Sequence, residues 1–242
     1  MDANLSLLKI ALLVCYGICY RICITPPNPP PSPSERAKVP VRMDSIGSNF
    51  NHYSHYFNKA VVWATIFIDV ALLSASYRSI VEATPILSTL LGSASSRSGA
   101  NLTPTFILGA VLVIAGAAIR LSCYRALGRL FTFELSLRDA HTLVTGGPYS
   151  VVRHPSYLGA MLAHPGMLLC TFGPGSWMYD CGWLDTLVGK LVALVVAGSV
   201  TAVMTLFVPR TAIEDQMLKK EFGVQWEEWA RRVPYRLVPG VF

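Results

Sequence analysis

The residue types best suited to chemistry lie between positions 141 and 159, in the sequence HTLVTGGPYSVVRHPSYLG. This stretch carries two histidines, an arginine, two tyrosines and a glycine turn, and apolar segments flank it. Polar side chains at a membrane boundary cost free energy unless they pair with one another or bind a ligand. Pro155 favours the first turn of a helix, whose N-terminal amides attract anions. We therefore predict a binding site here, with Tyr157 opening the next apolar helix.

A second polar region begins at Arg210. Arg210 and Glu214 are four residues apart, so they share one face of a helix. On most helices this spacing indicates a surface ion pair that contributes less than about 1 kcal/mol. Here both residues follow Pro209, where an apolar segment ends. This position favours contact between Arg210 and an anionic headgroup or a substrate carboxylate.

The composition predicts which elements position these residues. Of the 242 residues, 52% are hydrophobic and only 14% are charged, whereas soluble domains carry roughly 25% charged residues. Apolar runs approach the length of about 20 residues that a membrane-spanning helix needs. We predict an all-α membrane protein with about five transmembrane helices, a cytoplasmic cofactor pocket and a C-terminal interfacial helix. The predicted spans cover residues 5–24, 60–75, 104–121, 157–172 and 184–208.

The predicted organisation has three parts. Residues 1–24 form a first transmembrane helix or signal anchor, with a signal peptide as the alternative. Residues 25–59 form a proline-rich cytoplasmic loop, extended and without helix over Thr25–Pro40 because proline opposes helix formation. Residues 60–242 form the multi-span domain, with the catalytic motifs in 134–242. Gly109 and Gly116 predict close helix packing in the third span.

Charge sets the predicted orientation and excludes one class of partner. The net charge is +6, but the basic residues cluster in the gaps between apolar runs instead of forming a continuous patch. This is the pattern of cytoplasmic loops in membrane proteins, so nucleic-acid binding is not expected. A five-span arrangement places the three basic regions, residues 36–59, 120–153 and 210–236, on the cytoplasmic side.

Several common chemistries lack a motif. The cysteines Cys15, Cys19 and Cys23 share a helix face without the imidazole, carboxylate or CxxC pairing of a metal site, and we predict no metal. The sequence contains no Walker loop, HExxH or GxSxG motif, and no GxGxxG after a predicted strand. Asp69, inside the second span, is expected to be functional or paired, although the sequence does not identify its partner.

The motifs together resemble those of the protein-S-isoprenylcysteine O-methyltransferases. The resemblance rests on HTLVTGGPYSVVRHPSYLG, on RTAIED from Arg210, and on the closing FGVQWEEW and VPYRLVPG. It covers about Glu134 to Phe242 and is specific when all the motifs occur in this order. RHPxYxG alone is shared by wider groups of membrane methyltransferases.

The resemblance implies methylation of the C-terminal carboxylate of a prenylated cysteine, farnesylated or geranylgeranylated, by S-adenosylmethionine. It also implies a multi-pass enzyme of the endoplasmic reticulum membrane with its catalytic side in the cytoplasm. The substrate-carboxylate position falls on Arg210. Glu134 departs from the glutamine associated with animal members. The implied cofactor-binding positions are Glu134, His141, Thr142, Leu143, Val144, Tyr149, His154, Pro155, Ser156, Tyr157 and Glu214.

Three alternatives remain open at this point. The nearest is a methyltransferase that acts on phospholipids or other small lipids, for which a general base is expected because an amine must lose a proton. The second is a sterol-reductase-like enzyme, because Trp229 to Pro239 also resembles the C-terminus of that group. The third is a non-enzymatic transporter or scaffold, whose best feature is Asp69.

Overall fold

The computed structural model describes residues 3–37, 44–74 and 101–241, and the secondary structure in these ranges is helical without strands. The all-α fold class is therefore confirmed. In chain order the α-helices are α1 (Ala3–Ile24), α2 (Pro33–Ala37), α3 (Asp44–Leu73), α4 (Pro104–Leu127), α5 (Pro155–Phe172), α6 (Trp177–Asp180), α7 (Leu187–Phe222) and α8 (Val224–Arg232). Short 3-10 turns occur at Gly128–Leu130, Gly147–Ser150 and Trp183–Asp185.

Four helices in the described ranges are long and apolar enough to cross a membrane, close to the predicted five. They are Asn4–Ile24, Tyr53–Leu73, Pro104–Leu130 and Leu187–Phe222. The predicted fourth span is also a helix, α5, but it has only 18 residues and contains Pro165. Its His164-Pro165-Gly166 sequence lowers its hydropathy, which explains why α5 differs from the other four.

The proline-rich segment differs from the prediction. We expected no helix over Thr25–Pro40, and this is wrong for the five residues of α2. Pro33 stands at the first helical position, where its missing N–H costs no hydrogen bond. The predicted loop 25–59 also contains the first part of α3, which begins at Asp44. Residues 75–100, which connect the predicted second and third spans, lie outside the described residues.

The described residues form two compact units. The first comprises the described residues of 1–21, 56–115 and 162–200. Lys9 and Asp69 are both 2% exposed in its interior. Asp69 interacts electrostatically with Lys9 and accepts a hydrogen bond from the backbone N–H of Trp177. Asp69 is therefore paired, which is one of the two roles expected for it. This pairing explains a buried carboxylate at this position without a transport function.

The second unit comprises the described residues of 22–55, 116–161 and 201–242, and it contains every predicted site residue. One of its apolar clusters is built on Cys123, Phe131, Tyr149, Trp229 and Val233. Another joins Ala160, Val203 and Phe207, with Tyr157 packed against them. These clusters support the polar groups described below.

Gly109, one of the two glycines predicted to allow close packing, does so, and the other, Gly116, is approached at its carbonyl oxygen by Gly159. A Cβ on Gly109 would lie 2.8 Å from the carbonyl oxygen of Gly166 in the first unit. In the second unit, a Cβ on Gly159 would lie 2.8 Å from the carbonyl oxygen of Gly116. Such distances are shorter than ordinary van der Waals contacts, so the helix backbones approach at these points only because a side chain is missing.

Replacing Gly159 with alanine is expected to destabilise the protein by about 1–3 kcal/mol, because the new methyl group meets rigid backbone. Gly198 provides a matched control, since it is also helical and a Cβ there meets nothing within 4 Å. Gly198→Ala should stabilise its helix by about 0.5–1 kcal/mol. Thermal unfolding in detergent measures both variants, and equal unfolding temperatures would contradict the close approach.

Candidate active site

The residues just before α5 are held by the C-terminal segment. The backbone N–H of Arg153 donates to the carbonyl of Tyr235 at 2.9 Å, and that of His154 donates to the carbonyl of Arg236 at 2.8 Å. Helix α5 then begins at Pro155, as predicted. The site therefore depends on a contact between residues about eighty positions apart in the chain.

Asp215 is the centre of a buried charged network. Its carboxylate is 4% exposed and accepts hydrogen bonds from Nε2 of His154 at 3.0 Å and from Nε of Arg236 at 3.0 Å. Arg153 contributes a third, longer contact of 3.3 Å and also donates to the carbonyls of Val233 and Pro234, each at 2.8 Å. A buried carboxylate needs this degree of pairing, because burial of an uncompensated charge is costly.

Glu214, the neighbour of Asp215, belongs to a second chain of contacts. The hydroxyl of Tyr157 donates to Oε2 of Glu214 at 3.0 Å and accepts a hydrogen bond from Nε of Arg210 at 2.9 Å. Nδ1 of His154 lies 3.7 Å from the same Oε2. The Glu214 side chain remains 29% exposed, whereas that of Asp215 is only 5% exposed. Glu214 is therefore accessible to a ligand, and Asp215 is not.

Arg210 is further positioned by backbone. Its guanidinium group donates to the carbonyl oxygen of Phe133, directly before Glu134. The structure thus brings Arg210 and Glu214 to Tyr157 and His154, as expected from the helical hairpin between them. Arg210 and Glu214 are linked through the Tyr157 hydroxyl, so the pair is part of a larger arrangement than a simple surface ion pair.

His141 carries a polar atom with no hydrogen-bond partner. Its Nδ1 is buried, and no partner for it occurs among the described residues. The ring lies 5.8 Å from that of Phe222 and interacts electrostatically with Glu214 and Glu221. Burial lowers the pKa of His141 despite these carboxylates, so the imidazole is neutral at pH 7. Buried polar atoms are rarely left unpaired in native proteins, which makes this nitrogen a candidate ligand contact.

Trp226 presents a similar unpaired donor. In the described part of the chain, its buried Nε1 has no hydrogen-bond acceptor. Its ring lies 6.0 Å from the guanidinium carbon of Arg153 and 5.9 Å from Nζ of Lys219. Trp226 was not among the predicted site residues, so the structure adds it to the candidate site.

Other predicted cofactor residues have mainly packing contacts. Tyr149 lies in the apolar cluster with Phe131 and Trp229, and Leu143 and Val144 pack against the same cluster. Burial raises the pKa of Tyr149 above its ordinary value, so its hydroxyl stays neutral. The carbonyl of Tyr149 accepts a hydrogen bond from Nε1 of Trp229 at 3.0 Å.

Ser156 is held by a residue that sequence reasoning did not select. Nη1 of Arg120 donates to both the hydroxyl and the carbonyl of Ser156, each at 3.1 Å. The Arg120 guanidinium also lies over the ring of Phe133, 4.8 Å from its centroid. Ser156 therefore links the start of α5 to α4, while Thr142 is exposed.

Arg153, Asp215 and Arg236 were also absent from the predicted site. A signal was present, because Arg153 adjoins His154 and Asp215 adjoins Glu214, so two charged pairs flank the same hairpin. His154 and Glu214 were predicted as cofactor-binding residues, whereas Arg153 and Asp215, which join His154 in the buried network, were not.

Comparison with known proteins defines the class first. The sequence model of the phospholipid methyltransferase family matches residues 104–184, which span α4, the predicted binding stretch and α5. Together with the helical fold and the apolar spans, this match supports a membrane methyltransferase.

Individual relatives confirm the resemblance found in the motifs. The chain is 31% identical over 128 residues to protein-S-isoprenylcysteine O-methyltransferase B of Arabidopsis thaliana, covering 52% of the chain and 55% of that relative. It is 30% identical over 128 residues to a probable protein-S-isoprenylcysteine O-methyltransferase of Oryza sativa subsp. indica, covering 52% of the chain and 57% of the relative. The chain thus spans about half the length of these curated relatives.

A third similarity matches one of the alternatives. The chain is 32% identical over 100 residues to a delta(14)-sterol reductase of Mus musculus, covering 41% of the chain but only 20% of that protein. This similarity agrees with the sterol-reductase alternative, and it extends over only a small part of the reductase.

Proposed function

We propose that the protein methylates the C-terminal carboxylate of prenylated cysteines, farnesylated or geranylgeranylated, with S-adenosylmethionine as methyl donor. The observation that carries the proposal is the contact chain Arg210–Tyr157–Glu214–His154. In this chain of contacts, a guanidinium group suited to an anionic acceptor and a carboxylate suited to a cationic donor meet at the Tyr157 hydroxyl, where the apolar part of α7 ends. The motif resemblance and the named relatives support the same reaction.

The chemistry needs no general base. A C-terminal carboxylate has a pKa near 3.5 and is ionised at neutral pH, so it is already a nucleophile. What the protein must supply is orientation of the two reactants, which contributes several kcal/mol when the reacting atoms are aligned. Arg210, fixed by Tyr157 and by the Phe133 carbonyl, would bind the carboxylate in one direction.

The residues present fit the proposed methyl donor. When bound, S-adenosylmethionine supplies a methyl group on a positively charged sulfur. Glu214 retains exposed carboxylate surface for a cationic group, and aromatic faces such as that of Tyr157 attract cations as well. The unpaired Nδ1 of His141 and Nε1 of Trp226 provide hydrogen-bonding positions for the polar parts of such a ligand.

The prenyl chain requires an apolar surface next to the carboxylate site. Phe207 packs on Tyr157 with ring centroids 5.1 Å apart, and Ala160 and Val203 belong to the same cluster. Phe207 and Val203 lie one to two helical turns from Arg210 along α7, and all three residues of the cluster are buried. The protein interior beside Arg210 is therefore apolar, which is compatible with a prenylated acceptor.

We also propose a location in the endoplasmic reticulum membrane, with the site on the cytoplasmic side. Basic residues concentrate between α4 and α5 and after residue 209, whereas residues 173–186 contain Asp180 and Asp185 without lysine or arginine. By the positive-inside rule, this charge distribution supports a site on the cytoplasmic side.

Replacing Glu214 with alanine is expected to weaken S-adenosylmethionine binding by about tenfold, since a charge-assisted contact contributes about 1.5–3 kcal/mol and Glu214 is partly exposed. Calorimetric titration of the purified protein measures the affinity. Glu228→Ala removes an exposed carboxylate from α8 and serves as the matched control. Unchanged affinity in Glu214→Ala would reject the assigned role.

Phospholipid methylation is the second candidate function, and the match of residues 104–184 to the phospholipid methyltransferase family favours it. Radiolabelled methyl transfer to N-acetyl-farnesylcysteine and to phosphatidylethanolamine, measured side by side, distinguishes the two. Labelling of the lipid alone would replace the first proposal. Reduction of a sterol double bond with a nicotinamide cofactor tests the reductase alternative.

A further inference from the structure

The proline-rich segment Thr25–Ala37 makes specific contacts in the second unit. Nδ2 of Asn28 donates to the carbonyl of Gly128 at 2.7 Å and to that of Phe131 at 3.0 Å. One side chain thus holds both ends of the 3-10 turn that follows α4. We call this contact the first tie.

Helix α2 presents a second group toward the same region. Its start forms a capping box, in which Oε2 of Glu35 accepts from the Ser32 backbone N–H at 2.7 Å and the Ser32 hydroxyl accepts from the Glu35 N–H at 3.3 Å. A capping box satisfies two helix-terminal donors and fixes the orientation of both side chains. Glu35 is therefore held in one position, and it is only 7% exposed.

The second tie joins Glu35 to the residues before His141. Oε1 of Glu35 accepts from the backbone N–H of Asp139 at 3.3 Å, and Nη1 of Arg138 lies 3.9 Å from Oε2. Nη2 of Arg138 donates to the carbonyl of Pro29 at 2.6 Å. Residues 128–139 are thus bound to the proline-rich segment near both ends.

The residue that follows the second tie has an unusual backbone. Ala140 has a φ of +55°, the only positive φ at a non-glycine position in the described ranges. A side chain in this conformation costs free energy and persists only where the surrounding structure fixes it. The Glu35 contact with Asp139 is next to Ala140, and His141 comes directly after.

Between the two ties lies the carbonyl that binds Arg210. The Phe133 carbonyl accepts from the Arg210 guanidinium, and the hydroxyl of Thr132 donates to the Glu134 carbonyl at 2.6 Å. Any displacement of residues 128–139 would therefore move an Arg210 contact, and displacement of the second tie would move His141.

We propose that Thr25–Ala37 is a positioning clamp for the candidate active site, with Asn28 fixing the segment that orients Arg210 and Glu35 fixing the segment that presents His141. The role of this clamp in catalysis rests on the proposed methyl-transfer function. Proline suits a clamp of this kind, because its fixed φ reduces the entropy lost when the segment becomes ordered.

Substitutions in the first tie and in the second tie should have different effects on the reaction. Asn28→Ala is expected to lower kcat/KM for a prenylcysteine acceptor by about tenfold through misplacement of Arg210, with S-adenosylmethionine affinity changed by less than about twofold. Glu35→Ala is expected to weaken S-adenosylmethionine binding by about fivefold. Glu35→Gln keeps one oxygen acceptor and should fall between Glu35→Ala and the unmodified protein.

Hydrogen exchange tests the clamp independently of activity. In the full-length protein in detergent, Asn28→Ala should speed exchange of amides in 128–134, and Glu35→Ala should speed exchange at Asp139 and its neighbours. Ser34→Ala is the matched control, because the only contact described for its hydroxyl is with Ser32 at 3.0 Å, in the same segment. Exchange elsewhere should stay unchanged.

Either of two results would overturn the clamp. The first is unchanged hydrogen exchange over residues 128–140 in both variants. The second is a loss of both kcat/KM for the acceptor and S-adenosylmethionine affinity in each variant, with faster exchange throughout the molecule. Failure of the proposed function has a different signature. In that case the unmodified protein transfers no methyl group to prenylcysteine, while the exchange measurements still decide whether the clamp exists.

Discussion

Arg210→Ala is expected to lower methyl transfer to a farnesylcysteine analogue by at least about a hundredfold while S-adenosylmethionine binding remains largely intact. The reason is that Arg210 would orient the acceptor carboxylate, and loss of orientation alone costs about this much. Its contacts with Tyr157 and the Phe133 carbonyl show that the guanidinium group is held in a defined position. A radiolabelled assay and a binding titration on the same preparation measure both effects.

Conservative variants sharpen this experiment. Arg210→Lys keeps the positive charge but loses the planar fork that binds two acceptors at once, so it should restore only part of the activity. Tyr157→Phe removes the hydroxyl between Arg210 and Glu214 and should affect acceptor and donor together. Equal loss of donor binding and methyl transfer in Arg210→Ala would mean that Arg210 does not act on the acceptor.

Asp215→Ala is expected to destabilise the fold by about 3–5 kcal/mol, the range for breaking a buried ion pair by removal of one partner. Three cationic or hydrogen-bonding groups meet this carboxylate: Arg153, His154 and Arg236. Without it, buried groups are left uncompensated, and the contact between the C-terminal segment and the start of α5 is weakened. Urea or thermal unfolding in detergent measures the loss.

The adjacent carboxylate is the natural control. Glu214→Ala removes a side chain that is 29% exposed, so its stability should stay within about 1 kcal/mol of the unmodified protein. Replacing Asp215 should thus change the free energy of unfolding, whereas replacing Glu214 should change the affinity for S-adenosylmethionine. An Asp215→Ala protein as stable as Glu214→Ala would contradict the importance of the network.

Local patterns predicted much of this architecture. Apolar runs located four long helices, Pro155 marked a helix start, and Gly109 and Gly116 lie at close approaches of backbone. Each of these features depends on residues within a few turns of one another or on a backbone property of a single residue. Such properties can be recognised in one sequence.

The missed features depend on distant partners. Arg153 contacts Asp215, which lies about sixty residues later in the chain. No local sequence pattern distinguishes this pair from charged residues on the surface. Helix α2 was missed for another reason: the many prolines suggested an extended chain, although Ser32-Pro33-Ser34-Glu35 is a helix-start pattern. The ring of Tyr149 packs among Phe131 and Trp229, and its expected contact with the cofactor stays a prediction.

The contact of Tyr235 and Arg236 with the residues before α5 has a consequence for biosynthesis. Arg153 and His154 are translated about eighty residues before the carbonyls that bind their backbone amides. At elongation rates of about 5–20 residues per second, this interval lasts on the order of ten seconds. Helices α5 and α7 are therefore synthesised while the charged start of α5 lacks its final partners. The complete site therefore forms only after α5, α7 and the residues up to Arg236 have been synthesised.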